Sequence, residues 1–218
     1  MNTREFQRVV CFALILCFAV TAISAGDPKP IALPLPKTEG GKPLMDALKE
    51  RQSTKAFSPK AVSVEQLSSL LWAAFGINRP DSGKRTAPSA MNGQEMDIYV
   101  ILAEGVYLYD AKAHCLVPVL AQDLRAAAAG GDSAFQQAPV NLVYIADYSK
   151  MNKALYAKKT VYSATHAGFI GQNVYLFCAS EGLATVFREG MDRPAIREAL
   201  KLRDDQEIVF AQTVGYPR

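Results

Sequence analysis

Hydrophobic residues recur every three or four positions in several stretches of the 218-residue chain. This spacing is typical of helices that bury one face. The predicted helices are residues 44–52, a segment between a Ser63 cap and a Gly76 stop, a short helix within 121–130, a long helix from about Met151 to Ser180, and a last helix within 191–202. Small residues along one face of the long helix permit close packing against a neighbouring element.

Strands are predicted mainly in the middle of the chain. Residues 98–120 predict an antiparallel meander, with turns at Glu104-Gly105 and between Asp110 and His114. Residues 139–147 predict a buried strand, and residues 206–218 a final strand and tail. Because helices and strands alternate around a meander, we expect the α+β class with a largely antiparallel central sheet flanked by helices.

The first 24 residues predict a secretory signal peptide. Two arginines precede a run of 12 apolar residues, and small side chains at Ala22 and Ser24 suit cleavage before Ala25. The alternative is an uncleaved membrane anchor, since the apolar stretch approaches the roughly 20 residues that span a bilayer. In either case we expect the protein to be exported, to the periplasm or another extracytoplasmic compartment.

The remaining chain divides into two parts. Residues 25–43 are rich in proline and glycine and predict an extended tether, while residues 44–218 predict one folded domain. Half of the residues are hydrophobic, which supports a sizeable core. The near balance of 24 basic and 21 acidic residues argues against a nucleic-acid partner.

Cysteine and histidine are scarce after the signal peptide. Cys115 and Cys178 allow one disulfide in an oxidising compartment, but their spacing does not establish it. We expect His114 to be solvated in a turn, and His166 to be packed or on the surface. These four residues lack the spacing of a zinc site, so no metal is predicted.

Familiar catalytic motifs are absent from the sequence, including the P-loop, G-x-G-x-x-G, G-x-S-x-G and H-E-x-x-H. Three polar segments stand out instead: RQSTKAF from residue 51, KRTAPSAMNGQ from residue 84 and VFREGMD from residue 186. An extended chain would present Arg51, Ser53 and Lys55 on one face, where the like charges call for an anion between them. The structural alternatives are a solvated helix end with an edge strand, a plain turn, and a loop leading to a helix cap. The second segment lies in a long loop, over residues 77–97, of the kind that is usually functional.

In this order and spacing, the three segments resemble those of the nitroreductase-like FMN-dependent oxidoreductases, over about residues 44–217. The residues Gly-Lys-Arg-Thr before the P-S-A triplet are most similar to the thiazoline and oxazoline dehydrogenase branch. The resemblance implies a nitroreductase-like fold with a long central dimer helix. It also implies a homodimer with FMN sites at the interface.

The resemblance further implies which residues bind the cofactor. The R-x-S-x-R/K segment, which grips the phosphate and ribityl chain, comprises Arg51, Gln52, Ser53 and Lys55; the P-S-x-x-N segment, supplied by the partner subunit, comprises Pro88, Ser89, Ala90 and Asn92; and Glu189 with Gly190 lies near the reactive N5. Arg85 is a second candidate for the phosphate. No side chain is assigned to catalysis, because the flavin carries the chemistry.

The function implied is an exported FMN-dependent oxidoreductase. It would transfer two electrons as hydride between a donor and a small organic acceptor such as a nitro compound, a quinone or an azoline. The alternative is a flavin- or anion-binding carrier or accessory protein without turnover. Membrane contact is expected only if the N-terminal segment stays uncleaved.

Overall fold

The computed structural model describes residues 29–218, so the predicted signal peptide and its cleavage site lie outside the described residues. The helices are α1 (Leu44–Glu50), α2 (Val64–Phe75), α3 (Arg125–Ala129), α4 (Ser133–Gln137), α5 (Lys159–Glu181) and α6 (Arg193–Ala199). The strands are β1 (Ile31–Ala32), β2 (Ile77–Arg79), β3 (Lys84–Arg85), β4 (Met96–Leu102), β5 (Gly105–Asp110), β6 (Cys115–Leu120), β7 (Val140–Asp147), β8 (Ala184–Arg188) and β9 (Gln206–Gly215). Within this part of the chain, no helix combines the length and apolarity needed to cross a bilayer.

Seven strands form one antiparallel sheet in the order β1-β6-β5-β4-β7-β9-β8. The remaining two, β2 and β3, pair as a separate ribbon. The meander β4-β5-β6 confirms the strands and turns predicted for residues 98–120. The antiparallel sheet with flanking helices confirms the predicted α+β class.

The strand β7 lies inside the sheet, between β4 and β9, and all of its residues are buried. Leu142 and Tyr144 pack into the core beneath α2 and α5, whereas Val143 and Ile145 pack into the core beneath α3 and α6. Because successive side chains of a strand face opposite sides, helices on both faces favour a mostly apolar strand, here interrupted by Asn141 and ending at Asp147. This packing explains the buried strand predicted for residues 139–147.

Local capping signals fix several helix ends as predicted. Ser63 accepts a hydrogen bond from the Gln66 amide at the start of α2, and Gly182 ends α5 in a left-handed conformation with φ of 69°. Asp192 caps α6 by accepting from the Ala195 amide. The long helix, however, begins at Lys159 and not near Met151.

The late start of α5 has a local cause. Asn152 caps a run of 3-10 turns over Lys153–Lys158, and its side chain accepts from the Ala154 amide. These turns precede the α-helix, so the predicted helix was about eight residues too long at its N-terminal end.

A short part of the segment predicted to be a tether packs against the sheet. Ile31 and Ala32 pair with β6, and Leu33 joins the main hydrophobic core at 8% exposure. The flanking prolines hold the chain extended, which suits a short edge strand. The tether prediction is therefore wrong for residues 31–33.

Three further expectations are revised. Residues 184–188 form the edge strand β8, whereas the sequence placed most of them in a polar flexible segment. The long loop after α2 contains the β2-β3 ribbon. His114 is half-buried and not fully solvated: its Nε2 lies 2.7 Å from Ser68 Oγ, and its Nδ1 lies 3.1 Å from the Tyr109 hydroxyl.

Cys115 and Cys178, the cysteines of residues 29–218, do not pair with each other. Cys178 is buried on α5 at 1% exposure, and burial raises the pKa of its thiol. Cys115 lies in β6 near the other edge of the sheet. The disulfide that the sequence allows between Cys115 and Cys178 is therefore not formed.

Candidate functional site

The segment that follows α1 runs along the open edge of β8. The Thr54 amide donates to the Thr185 carbonyl at 3.0 Å, and Phe57 forms a bridge with Pro217. The sheet order places β8 at the edge, with β9 as its neighbour on the other side. Residues 51–57 therefore cover part of an edge whose backbone groups would otherwise lack partners.

Tyr175 of α5 holds this segment in place. Its hydroxyl accepts from the Phe187 amide at 2.9 Å and lies 2.7 Å from Ser53 Oγ. The Arg51 guanidinium carbon lies 5.2 Å from the centroid of the same ring. Arg51 and Ser53 thus share a face, as their alternate positions predict. Sequence reasoning missed Tyr175, since nothing local distinguishes it from other aromatic residues of the helix.

A cleft of about 430 Å³ opens beside Arg51. Its lining includes Lys49, Arg51, Gln52, Thr54 and Tyr175. Among residues 29–218, no carboxylate forms an ion pair with the Arg51 or Lys55 side chain. A cleft with uncompensated positive charge attracts an anion.

The Glu189-Gly190 pair follows directly after β8 and is exposed. The Glu189 carbonyl accepts from Arg193 Nη1 at 3.2 Å, and the Gly190 carbonyl accepts from Arg188 Nη1. Neither backbone amide of the pair donates to an acceptor in the described part of the chain. The carbonyls are therefore fixed, while two amides remain available to a ligand.

Arg188 is committed to the interior. Its guanidinium lies 4.7 Å from the Phe135 ring centroid and donates to Asn141 Oδ1 and Thr213 Oγ1 at 3.1 Å each. Burial lowers the pKa of Arg188 to about 10. These contacts make Arg188 a support for the turn at Gly190, and they occupy the guanidinium donors that a phosphate would need.

Arg85 is also held by the protein itself. Its Nε donates to Gln94 Oε1 at 2.7 Å, its Nη1 donates to the Phe75 carbonyl at 2.9 Å, and its guanidinium stacks 4.5 Å from the Phe75 ring. Burial lowers the pKa of Arg85. The structure does not bring Arg85 to the cleft beside Arg51 in the same chain, which argues against its predicted role there.

The P-S-x-x-N segment lies elsewhere on the same chain. Its Ala90 amide donates to His166 Nε2 at 2.9 Å, and Ser89 Oγ accepts from the Gln94 amide at 3.0 Å. His166 and Tyr175 are nine residues apart on α5, which corresponds to about 13 Å along a helix. The predicted cofactor-binding residues therefore form two separate groups. One group lies along the open edge of β8 and at its C-terminal end, and it comprises Arg51, Gln52, Ser53, Lys55, Glu189 and Gly190. The other lies before β4 in the chain and comprises Arg85, Pro88, Ser89, Ala90 and Asn92.

Comparisons with known proteins identify the family. Residues 48–216 match the model of the nitroreductase family. A protein of Methanocaldococcus jannaschii, described as a putative nitroreductase, is 31% identical over 170 residues, covering 74% of this chain and 85% of the relative.

Solved structures show the same fold. The crystal structure of a putative nitroreductase from Ralstonia eutropha superposes with a TM-score of 0.82 at 38% identity, covering 88% of this chain and 91% of that one. A second one, from Desulfovibrio desulfuricans and solved in complex with FMN, superposes with a TM-score of 0.58 at 22% identity, covering 82% and 88% of the two chains. The nitroreductase-like fold is thus confirmed, and the thiazoline and oxazoline branch stays a prediction. The chain belongs to the nitroreductase family.

Proposed function

We propose that the protein is an exported, homodimeric FMN-dependent oxidoreductase that moves two electrons between a donor and a small organic acceptor. A nitro compound, a quinone or an azoline is the class of acceptor that we favour. Membership of the nitroreductase family supports flavin oxidoreductase activity. The relative from Desulfovibrio desulfuricans, which was crystallised with FMN, supports the choice of cofactor.

The donors of segment 51–55 suit the phosphate of FMN, although only Arg51, Gln52 and Thr54 of this segment line the cleft itself. Arg51 offers a planar fork of donors, Lys55 a mobile ammonium, and Ser53 a hydroxyl held by Tyr175. Charge-assisted hydrogen bonds from such groups to a phosphate are among the stronger polar contacts in proteins. Glu50 also lines the cleft, but it pairs with Lys42 and leaves the Arg51 guanidinium without a carboxylate partner among residues 29–218. The donors of the segment therefore fit this end of the cofactor.

One observation carries the proposal: both ends of the candidate site lie on the same edge of β8. Thr185 contacts the phosphate-binding segment, and Glu189 follows four residues later, or about 13 Å along a strand. This span is of the same order as an extended flavin mononucleotide. Because Phe187 turns its amide to the open edge, the alternation of a strand turns the Glu189 amide to that edge as well.

The chain's own residues would bind and orient the cofactor. The segment 51–55 would hold the phosphate, and the amides of Glu189 and Gly190 would donate to the ring near N5. Arg193 holds the Glu189 carbonyl, which shares a peptide plane with the Gly190 amide, so the Gly190 amide keeps one direction. Bound FMN would supply the hydride chemistry itself.

A homodimer completes the site. Segment 88–92 is far from the Arg51 cleft of its own chain, so its predicted contact with the flavin requires a second copy. Large apolar side chains are exposed on the helices that would meet that copy, namely Leu44, Met45 and Leu48 of α1 and Val161 and Phe169 of α5. Clusters of exposed apolar residues commonly mark protein interfaces.

The spectrum of the isolated protein tests the cofactor. Mature protein should be yellow, with a flavin absorption band that is released on denaturation. Protein that is colourless and stays so after mixing with FMN would refute the proposal. Anaerobic photoreduction followed by a screen of acceptors then separates enzyme from carrier, because a carrier re-oxidises no faster with any acceptor than with air.

Two further measurements test the proposed dimer and the proposed export. Light scattering in solution should give twice the mass of one chain, and a monomeric holoprotein would contradict the shared site. Cell fractionation should place the protein outside the cytoplasm, with an N-terminus at Ala25 if the signal peptide is cleaved. Cytoplasmic protein that retains Met1 would contradict export.

A further inference from the structure

A carboxylate and an imidazole form a buried pair behind the P-S-x-x-N segment. Glu95 precedes β4 and is 1% exposed, while His166 lies on α5 and is 3% exposed. Glu95 Oε1 lies 2.5 Å from His166 Nδ1. The rings of Tyr162 and Phe169 flank the imidazole, with centroids 6.1 and 6.5 Å away.

The hydrogen bonds determine which imidazole nitrogen carries the proton. The Ala90 amide can only donate, so His166 Nε2 must accept its hydrogen bond at 2.9 Å. The proton of the ring therefore sits on Nδ1 and points to the Glu95 carboxylate. Glu95 orients the imidazole, and the imidazole in turn holds a backbone amide.

The backbone that donates this hydrogen bond is followed by strained residues. Met91, Asn92 and Gln94 have φ values of 53°, 54° and 49°, which non-glycine residues rarely adopt. Such conformations persist only where the surroundings impose them, and they concentrate at functional sites. Met91 is nevertheless 64% exposed, so the restraint comes from the buried side of the segment.

We propose that Glu95 and His166 are a positioning pair that presents segment 88–92 in one conformation to the flavin bound by a second copy of the chain. This role rests on the proposed homodimeric FMN site. A histidine that only packs in the core would need no hydrogen bond to segment 88–92, whereas His166 Nε2 accepts one from the Ala90 amide.

Histidine tautomers can be read in the wild-type protein from the ring nitrogen shifts. The chain has only two histidines, and the second is an internal control. Ser68 Oγ donates to the Pro34 carbonyl at 2.5 Å, so it must accept from His114 Nε2. We expect the Nε2–H tautomer for His114 and the Nδ1–H tautomer for His166. An Nε2–H tautomer at His166 would overturn the proposal, because that nitrogen could not accept from Ala90.

Two substitutions separate the two hydrogen bonds of His166. His166→Asn keeps an amide near Nδ1 that donates to Glu95, but it has no acceptor near Ala90. His166→Gln reaches the Nε2 position, where its oxygen accepts from Ala90. We expect His166→Asn to speed hydrogen exchange of the Ala90 amide and to weaken FMN binding, each by about ten-fold. His166→Gln should restore both to near the wild-type values.

The outcomes distinguish failure of FMN binding from failure of the positioning role of His166. If wild-type protein does not bind FMN, the proposed function fails, while the tautomer and the exchange rate still report on the pair. If wild-type protein binds FMN but both variants match each other, the positioning role fails. Glu95→Gln preserves the shape of the Glu95 side chain and is a third variant for the same comparison of Ala90 exchange and FMN affinity. Any folded variant that frees the Ala90 amide yet keeps wild-type FMN affinity would overturn the proposal.

Discussion

The substitution Arg51→Met tests the phosphate end of the site directly. Arg51 follows α1, and its guanidinium lies over the Tyr175 ring with no carboxylate partner in residues 29–218. Methionine keeps an apolar stem of similar length and removes only the charged fork. We therefore expect the substitution to reduce FMN affinity without dismantling the cleft.

The expected magnitude follows from the contacts that change on binding. A charge-assisted hydrogen bond contributes about 1.5–3 kcal/mol, so its loss should raise the dissociation constant of FMN about ten-fold to hundred-fold. The contact with the Tyr175 ring is worth about 0.5–1 kcal/mol at an exposed site. That contact exists in free protein as well, so its loss should lower stability and leave affinity nearly unchanged.

Titration by quenching of flavin fluorescence measures the effect, and Lys60→Met is a matched control. Lys60 Nζ lies 4.2 Å from the centroid of the Tyr216 ring, so the control also loses an exposed cation over an aromatic ring. Lys60 is not among the residues that line the cleft. Equal dissociation constants for Arg51→Met and wild type, or equal losses in both variants, would refute the reasoning.

Three other predictions concern the support of β8 and the core. Tyr175→Phe should lower the free energy of unfolding in urea by about 1–2 kcal/mol, because the Phe187 amide loses its acceptor; unchanged stability would contradict this. Gly171→Ala should destabilise the protein by about 1–3 kcal/mol, because the new Cβ would lie 2.5 Å from Phe187 Cδ2. Gly168→Ala is the matched control: its Cβ meets open space, so it should stabilise the helix by up to about 1 kcal/mol. Similar melting temperatures for the two variants would contradict this packing. Burial lowers the pKa of His114 below its unfolded value of about 6.5, so the unfolded chain binds more protons and stability should fall as pH drops below about 6.5. Urea unfolding at pH 7.5 and 5.0 should show a smaller difference for His114→Gln than for wild type, and an equal difference would exclude this linkage.

Local signals explain the parts of the fold that the sequence predicts. Ser63, Gly182 and Asp192 act on their immediate neighbours, so helix ends could be placed without tertiary information. The strand β8 has only five residues and becomes a strand by pairing with β9. Strand propensity depends on such partners, which the sequence near residues 184–188 does not reveal.

In the candidate site, too, local features could be predicted and remote contacts could not. The alternation of Arg51 and Ser53 has a period of two, and this period suffices to place both on one face. The partners of these residues come from remote parts of the chain: Ser53 and Tyr175 are 122 residues apart, and Glu95 and His166 are 71 apart. No spacing rule links residues at such separations, so these contacts became apparent only in the folded structure.

The open edge of the sheet explains why the site lies where it does. An edge strand exposes a row of backbone donors and acceptors that can pair with other chains. In this protein Thr54 satisfies the Thr185 carbonyl, and Tyr175 satisfies the Phe187 amide. The row continues to Glu189, where the described chain provides no further acceptor. A ligand that offers acceptors at this point and an anion beside Arg51 would complete the edge, so the contacts proposed for the ligand would also protect β8 from unwanted pairing.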